Sequence, residues 1–150
     1  MKISAFADVG LRVMMALTSA PEGTQMTTQQ LADAVGSPYH HVSKTVTRLG
    51  ELGVIRTARG RNGGSSVTEE GMSATVGGVL RELETRLDPA ECLSPRGNCP
   101  LIGDCQLRFA LRRAQEAFYR DLESIVISAL PSRPQRETVF ASIGIGPPAP

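Results

Sequence analysis

A mainly α fold with one small β-hairpin is what this 150-residue chain predicts, and three observations carry the prediction. Apolar residues recur at helical spacing through the first 50 residues and again after Cys105. Two of those helical stretches are joined by a single glycine, Gly36. A short β-prone run then turns back on itself through Arg59-Gly60-Arg61-Asn62-Gly63-Gly64.

The first helix is predicted over residues 3–19, with Ile3, Phe6, Gly10, Met14 and Leu17 on one stripe and Asp8 on the opposite side. Pro21, Glu22 and Gly23 form a loop. Thr27 starts the second helix, because with Gln30 it fits a capping box in which each side chain satisfies a free N–H of the first turn. Leu31, Ala34 and Val35 form its buried side, and Gly36 suits the position just past its end. Ser37 is the expected N-cap of the third helix and Pro38 its first residue, where a missing N–H costs nothing. Val42, Val46 and Leu49 lie within about 60° of one another at ~100° per residue and make the core face. His40, Lys44, Thr47 and Glu51 point away, and Gly53 ends the helix. The hairpin strands are expected at Val54–Ala58 and Ser65–Thr68. A further helix is expected over 73–86, an irregular loop over 88–104 and a long helix over 105–130. Beyond Pro131 the Pro- and Gly-rich composition predicts a disordered tail.

Two helices joined by a tight glycine turn, then a basic hairpin, is the order of a winged helix-turn-helix. Ala32 packs the two helices, Gly36 makes the turn and Val42 anchors the second helix. In such a fold the second helix enters the major groove, and its N-terminal half reaches base edges. Ser37, Tyr39, His40, Ser43 and Lys44 occupy that half and carry hydrogen-bonding groups. Lys44 and Arg48 suit bases or phosphates, and Arg59 and Arg61 at the wing tip suit phosphates or a narrow minor groove. Gly63 and Gly64 complete the DNA-binding set. Each part alone has an ordinary explanation, a helical hairpin or a solvated basic loop; the order in which they follow one another favours double-stranded DNA. His40 and His41 do not share a metal ion easily, since adjacent helical residues point ~100° apart. His40 is assigned to the DNA-facing side and His41 to a structural role.

Charge agrees with this reading in its distribution rather than its sum. The net charge is +1, yet five cations and one anion lie between Lys44 and Arg61. Trp is absent and aromatics make up 4%, so no platform for stacking single-stranded bases is evident. No apolar run is long enough to span a membrane and the N-terminus lacks a signal-peptide pattern, so a cytoplasmic location is expected.

Cys92, Cys99 and Cys105 fall within fourteen residues. An odd count in a reducing compartment points to metal or redox chemistry rather than a disulfide framework. The spacing lacks the paired C-x2-C knuckles of a zinc ribbon. Soft thiolates on a Pro- and Gly-bearing loop suit an iron–sulfur cluster, with structural zinc or a thiol switch as alternatives. Asp104 is placed to cap the long helix, whose positive end favours an anionic group at Cys105. A fourth ligand must come from elsewhere: Asp8, Glu91, Asp104 or a partner chain.

The chain resembles the winged-helix regulators that include IscR and NsrR, from Met1 to about Leu130. The resemblance is carried by Phe6 to Arg12, Leu31-Ala32, Gly36, Tyr39, Lys44, Leu49, Gly53, Arg59 to Gly64 and the cysteine loop. Asn98-Cys99-Pro100-Leu101 and Cys105-Gln106-Leu107 are most similar to the nitric-oxide-sensing NsrR type. The resemblance implies a 4Fe–4S cluster on the three cysteines, sited at a dimer interface, with 2Fe–2S or zinc as less favoured occupants. It also implies Asp8 of the second subunit as the fourth ligand. IscR uses a His three residues past its last cysteine, where this chain has Arg108. The first gap, Cys92-x6-Cys99, is one residue longer than the family's C-x5-C.

Leu107, Leu111, Ala114, Phe118, Leu122, Ile125 and Ala129 recur at intervals of four and three, a seam for a second copy along a helix of about 38 Å. The expected organisation is a winged helix-turn-helix over 1–88, a cluster-binding cysteine loop over 89–104, a dimerisation helix over 105–130 and a tail over 131–150. The expected function is that of a homodimeric, non-enzymatic repressor that binds an imperfect palindrome and responds to nitric oxide. Sensing of iron or redox status, and a zinc-bound, cluster-free regulator, are the alternatives.

Overall fold

The computed structural model describes residues 3–61, 63–84, 90–94 and 97–146, and of Glu91 only the backbone. Helix α1 (Ala5–Ser19) is the axis of the molecule. Ser4 sets its start two residues later than the apolar pattern does, its Oγ accepting from the Ala7 N–H at 3.2 Å. Helices α2 (Thr28–Val35), α3 (Tyr39–Glu51), α5 (Val76–Leu83) and α7 (Arg133–Ser142) all pack on α1. For that reason α1 buries Ala7, Val9, Val13 and Ala16 as well as Met14 and Leu17, while Ile3 stays exposed.

The expected Thr27–Gln30 capping box is present: Thr27 Oγ1 accepts from the Gln30 N–H at 3.2 Å, and Gln30 Oε1 accepts from the Thr27 N–H at 2.8 Å. Gly36 ends α2 at φ 64°, a left-handed conformation that a side chain rarely tolerates. Pro38, not Ser37, is the N-cap of α3, and no side chain caps that end. The Ser37 N–H instead closes the α2 turn on the Ala32 carbonyl at 3.1 Å. Val42, Val46 and Leu49 are buried, joined by Thr45, whose hydroxyl donates to the His41 carbonyl.

Strands β1 (Ile55–Ala58) and β2 (Gly64–Val67) pair antiparallel with Ile55 opposite Val67 and Ala58 opposite Gly64. Met26, just before α2, adds a bridge to Ser65, with N–H···O distances of 2.9 and 2.8 Å. That bridge ties the hairpin to the start of the helix pair. No helix is long and apolar enough to cross a membrane among the described residues.

Three helical expectations need correction. The helix expected over 73–86 is the shorter α5, which Ala74–Thr75 part from a separate, unexpected α4 (Glu69–Ser73); its expected end at Arg86 lies outside the described residues. Thr68 and Thr75 each cap a helix by accepting from an N–H three residues on. The helix expected over 105–130 is α6 (Gln106–Glu123), 18 residues or about 27 Å, followed by a 3-10 turn at Ile127–Ala129. One pairing explains both breaks. Thr75 bridges Val126, the Val76 N–H donates to Ile125 O at 2.8 Å and the Ile127 N–H to Ala74 O at 3.0 Å, so both segments must be extended. The third correction is α7, where a disordered tail is expected. Gln135 accepts from the Ser132 N–H at 2.8 Å, Pro134 lies in the first turn, and Val139 and Phe140 are buried where α7 meets α1 and α2.

Val139→Ala therefore lowers stability by about 2 kcal/mol in urea titration, the cost of removing two buried carbons from a packed site. An unchanged midpoint would mean that α7 does not hold its place on α1.

Candidate functional site

The outward side of α3 carries Tyr39, His40, Lys44 and Thr47, all exposed, with Ser43 half-buried beside them. Between this side and the hairpin runs an open cleft of about 980 Å³. Tyr39, Ser43 and Thr47 form one wall; Arg56, Thr57, Arg59, Gly60, Gly63 and Gly64 form the other. Thr27, Thr28 and Gln29 close one end, so the N-terminus of α2 opens on the same space. A helix N-terminus carries free N–H groups and a partial positive charge, which suits a phosphate.

The structure brings Tyr39, Ser43, Arg59, Gly63 and Gly64 together in this cleft. His40, Lys44 and Arg61 are exposed near it without lining it, and Ser37 sits in the turn before α3. His41 is exposed with its ring 4.2 Å from that of His40, so its expected structural role has no buried contact behind it. Lys44, Arg56, Arg59 and Arg61 form no ion pair among the described residues. Arg48 differs: its guanidinium meets Glu51 at 3.2 Å and Glu82 of α5 at 3.5 Å. Thr28, Gln29, Thr47, Arg56 and Thr57 were not in the expected set. The Thr27 cap was the available signal for the first two, since it marks where a helix begins.

The wing glycines are needed by the backbone. A Cβ on Gly63 would overlap the Ala58 carbonyl oxygen, and one on Gly64 would come within 2.9 Å of the Met26 carbonyl oxygen. Gly60 holds φ 111° at the tip.

Helix α5 connects this face to α6. Glu82 reaches α3, while the neighbouring Arg81 reaches α6, donating to Glu123 at 2.8 Å and Glu116 at 3.0 Å. The Glu123 hydrogen bond, above all, raises the Arg81 pKa. Arg81 also lies 4.3 Å over the ring of Tyr119, whose phenol is pushed up by burial and then by Glu84.

Cys92 lies in the 3-10 turn Glu91–Leu93, Cys99 in the irregular segment after it, and Cys105 at the N-cap of α6. All three are half-buried free thiols, and α6 packs on the turn that carries Cys92. Cys105, not Asp104, occupies the N-cap position of α6, with no side-chain cap; Asp104 takes φ 49° instead. Asp8 is half-exposed and bound to Arg12 of its own helix at 2.7 and 3.1 Å. The side chain of Glu91 lies outside the described residues. Among the described residues no three Cys, His, Asp or Glu side chains gather closely enough to hold one metal ion. The chemistry of the donor set nonetheless fits an iron–sulfur cluster. Three soft thiols share one loop beside a helix N-terminus, and the Nε of Arg108, one turn into α6, is buried without a hydrogen-bond partner. The apolar seam divides: Phe118 and Leu122 pack on the chain's own core, whereas Leu107 and its neighbours Leu101, Ile102 and Phe109 are exposed.

The chain is 41% identical over 135 residues to the HTH-type transcriptional repressor NsrR of Streptomyces coelicolor, covering 89% of this chain and 90% of that protein. It is 38% identical over 131 residues to the HTH-type transcriptional regulator NsrR of Geobacillus kaustophilus, covering 87% and 89%. Its fold matches CymR, the global cysteine regulator of B. subtilis, with TM-score 0.69 at 22% identity, covering 87% of this chain and 95% of that one. It matches T. potens IscR with TM-score 0.66 at 19% identity, covering 85% and 84%. Residues 3–132 match the Rrf2 family, described as iron-dependent transcriptional regulators. The protein thus belongs to the Rrf2 family of transcriptional regulators and resembles its NsrR members, which are regulators and not enzymes.

Proposed function

We propose that this protein is a homodimeric repressor that reads an imperfect palindrome and reports nitric oxide through a 4Fe–4S cluster. The observation that carries the DNA half is the cleft between α3 and the wing, with Arg56 and Arg59, which form no ion pair among the described residues, lining it and a helix N-terminus at its end. Tyr39, His40, Ser43 and Lys44 face base edges, and Arg59 and Arg61 hold phosphates or enter the minor groove. Ser37 meets the DNA from the turn before α3, and Gly63 and Gly64 let the wing backbone fold tightly against its base. Arg48 braces α3 on Glu82 and reaches DNA by exchanging that carboxylate for a phosphate.

Cys92, Cys99 and Cys105 supply three thiolates, and Asp8 of a second copy the fourth ligand. Bound there, the cluster would supply iron that combines with nitric oxide. Asp8 is suited to a reversible role, because an oxygen ligand binds iron less tightly than a thiolate. In this chain its carboxylate rests on Arg12, so ligation releases a guanidinium on α1, the helix against which α2 and α3 pack. The exposed Leu101, Leu107 and Phe109 supply apolar surface beside the loop for the second copy. The description of the family as iron-dependent favours iron status as a second reading of the signal. Comparing release of DNA by nitric oxide with release by an iron chelator separates the two.

Replacing Arg59 and Arg61 together by Ala should lower operator affinity about tenfold or more and flatten its salt dependence by about two counterions. Fluorescence anisotropy across a salt series measures this; an unchanged slope and affinity would remove the wing from the interface. Each Cys→Ala change at 92, 99 or 105 should abolish stable uptake of iron and sulfide while leaving the helical circular-dichroism signal intact. Full iron and sulfide in any one of them would show that this cysteine is not a ligand. Asp8→Ala should keep the three thiolate ligands but change the visible spectrum and the rate of reaction with nitric oxide. If it matches the wild type in both, Asp8 is a surface carboxylate paired to Arg12.

A further inference from the structure

We propose that Arg108 is a positioning residue for the cysteine loop, its Nε–H donating a hydrogen bond to an anionic sulfur of the cluster held there. This rests on the cluster reading above and extends it to a residue outside the ligand set. Arg108 is the third residue of α6, one turn past Cys105 at its N-cap. In that first stretch Gln106, Leu107, Phe109 and Ala110 are exposed, while Arg108 and Leu111 are half-buried. The inward face of α6 is thus the one that carries Arg108, and α6 packs on the turn bearing Cys92.

The guanidinium of Arg108 is unusual in this chain. Arg12, Arg81 and Arg133 each place Nε on a carboxylate, and Arg136 places it on a carbonyl. Among the described residues the Nε of Arg108 is the buried side-chain nitrogen or oxygen that lacks any partner. A buried donor left unmade is costly, and more so on a charged group. Neutral thiols accept hydrogen bonds weakly, but thiolates and sulfides ligating iron are anionic and accept well. Hydrogen bonds to such sulfurs, with the positive end of a helix beside them, stabilise the more reduced, more negative state and hold the ligands in place. The competing account is that Arg108 only lays its aliphatic stem on the core. That account makes the guanidinium dispensable and the stem essential.

Arg108→Met keeps the stem and removes the donor; Arg108→Lys keeps the charge and removes Nε. Both are purified anaerobically as full chains beside the wild type and assayed for iron, sulfide, reduction potential and loss of the visible spectrum to EDTA. The expected result is comparable loading, a lower reduction potential and about tenfold faster loss to chelator in Arg108→Met, with Arg108→Lys between it and the wild type. The cluster-free Arg108→Met chain should melt no lower than the cluster-free wild type, because the orphaned donor is gone. Wild-type potential and chelator resistance in Arg108→Met would overturn the proposal while leaving the cluster reading intact. A lower melting point of the cluster-free variant would overturn it too, by showing that Arg108 serves the chain's own packing. A wild-type protein that takes up no iron and sulfide would overturn the cluster reading itself.

Discussion

Gly77 lets helix α5 meet helix α6 backbone to backbone, and the geometry of the two halves of this protein depends on that approach. A Cβ at Gly77 would stand 2.6 Å from the Glu123 nitrogen and 2.8 Å from the Tyr119 carbonyl oxygen. Backbone atoms cannot swing aside as a side chain can, so even one methyl group must part the helices. Around this point lie the Thr75–Val126 bridge, the Arg81 pairs with Glu116 and Glu123, and buried Tyr119. The ion pairs are partly exposed and add little by themselves. Close packing of the backbones sets the distance at which they meet.

From α5 the close packing continues to α1 and α3. Leu83 lies against Gly10 of α1 at a junction that also holds Thr45 of α3, and Glu82 meets Arg48. Gly10 and Gly77 are therefore two close approaches along one path, from α6 through α5 to α1 and α3. The cysteine loop ends at the N-cap of α6, and α6 packs on the turn that carries Cys92.

What was legible in the sequence was local. The Thr27–Gln30 cap, the Gly36 turn and the Val42, Val46 and Leu49 core depend on residues within a turn or two of one another, and each stands as the pattern implies. The hairpin was readable from its glycines for the same reason. The break at Ala74–Thr75 and the early end of α6 were not, because both come from pairing across some fifty residues. Helix α7 was hidden by composition: prolines and glycines outweigh Val139 and Phe140, yet those two side chains find a ready surface on α1 and α2. In the site, residue types were legible and engagements were not. Nothing near Arg48 in sequence announces Glu82, and nothing near Cys105 shows that the Arg108 Nε is buried without a partner.

Hydrogen exchange of Gly77→Ala against the wild type tests most directly whether this junction holds the two halves together. Ala is the better helix former by up to about 1 kcal/mol, so a purely local effect would raise protection in α5. If the close approach is the common support, protection falls together in α5, in α6 and in the parts of α1 and α3 that meet Leu83. A variant in which α1 and α3 keep wild-type protection while α6 alone loosens would contradict the account.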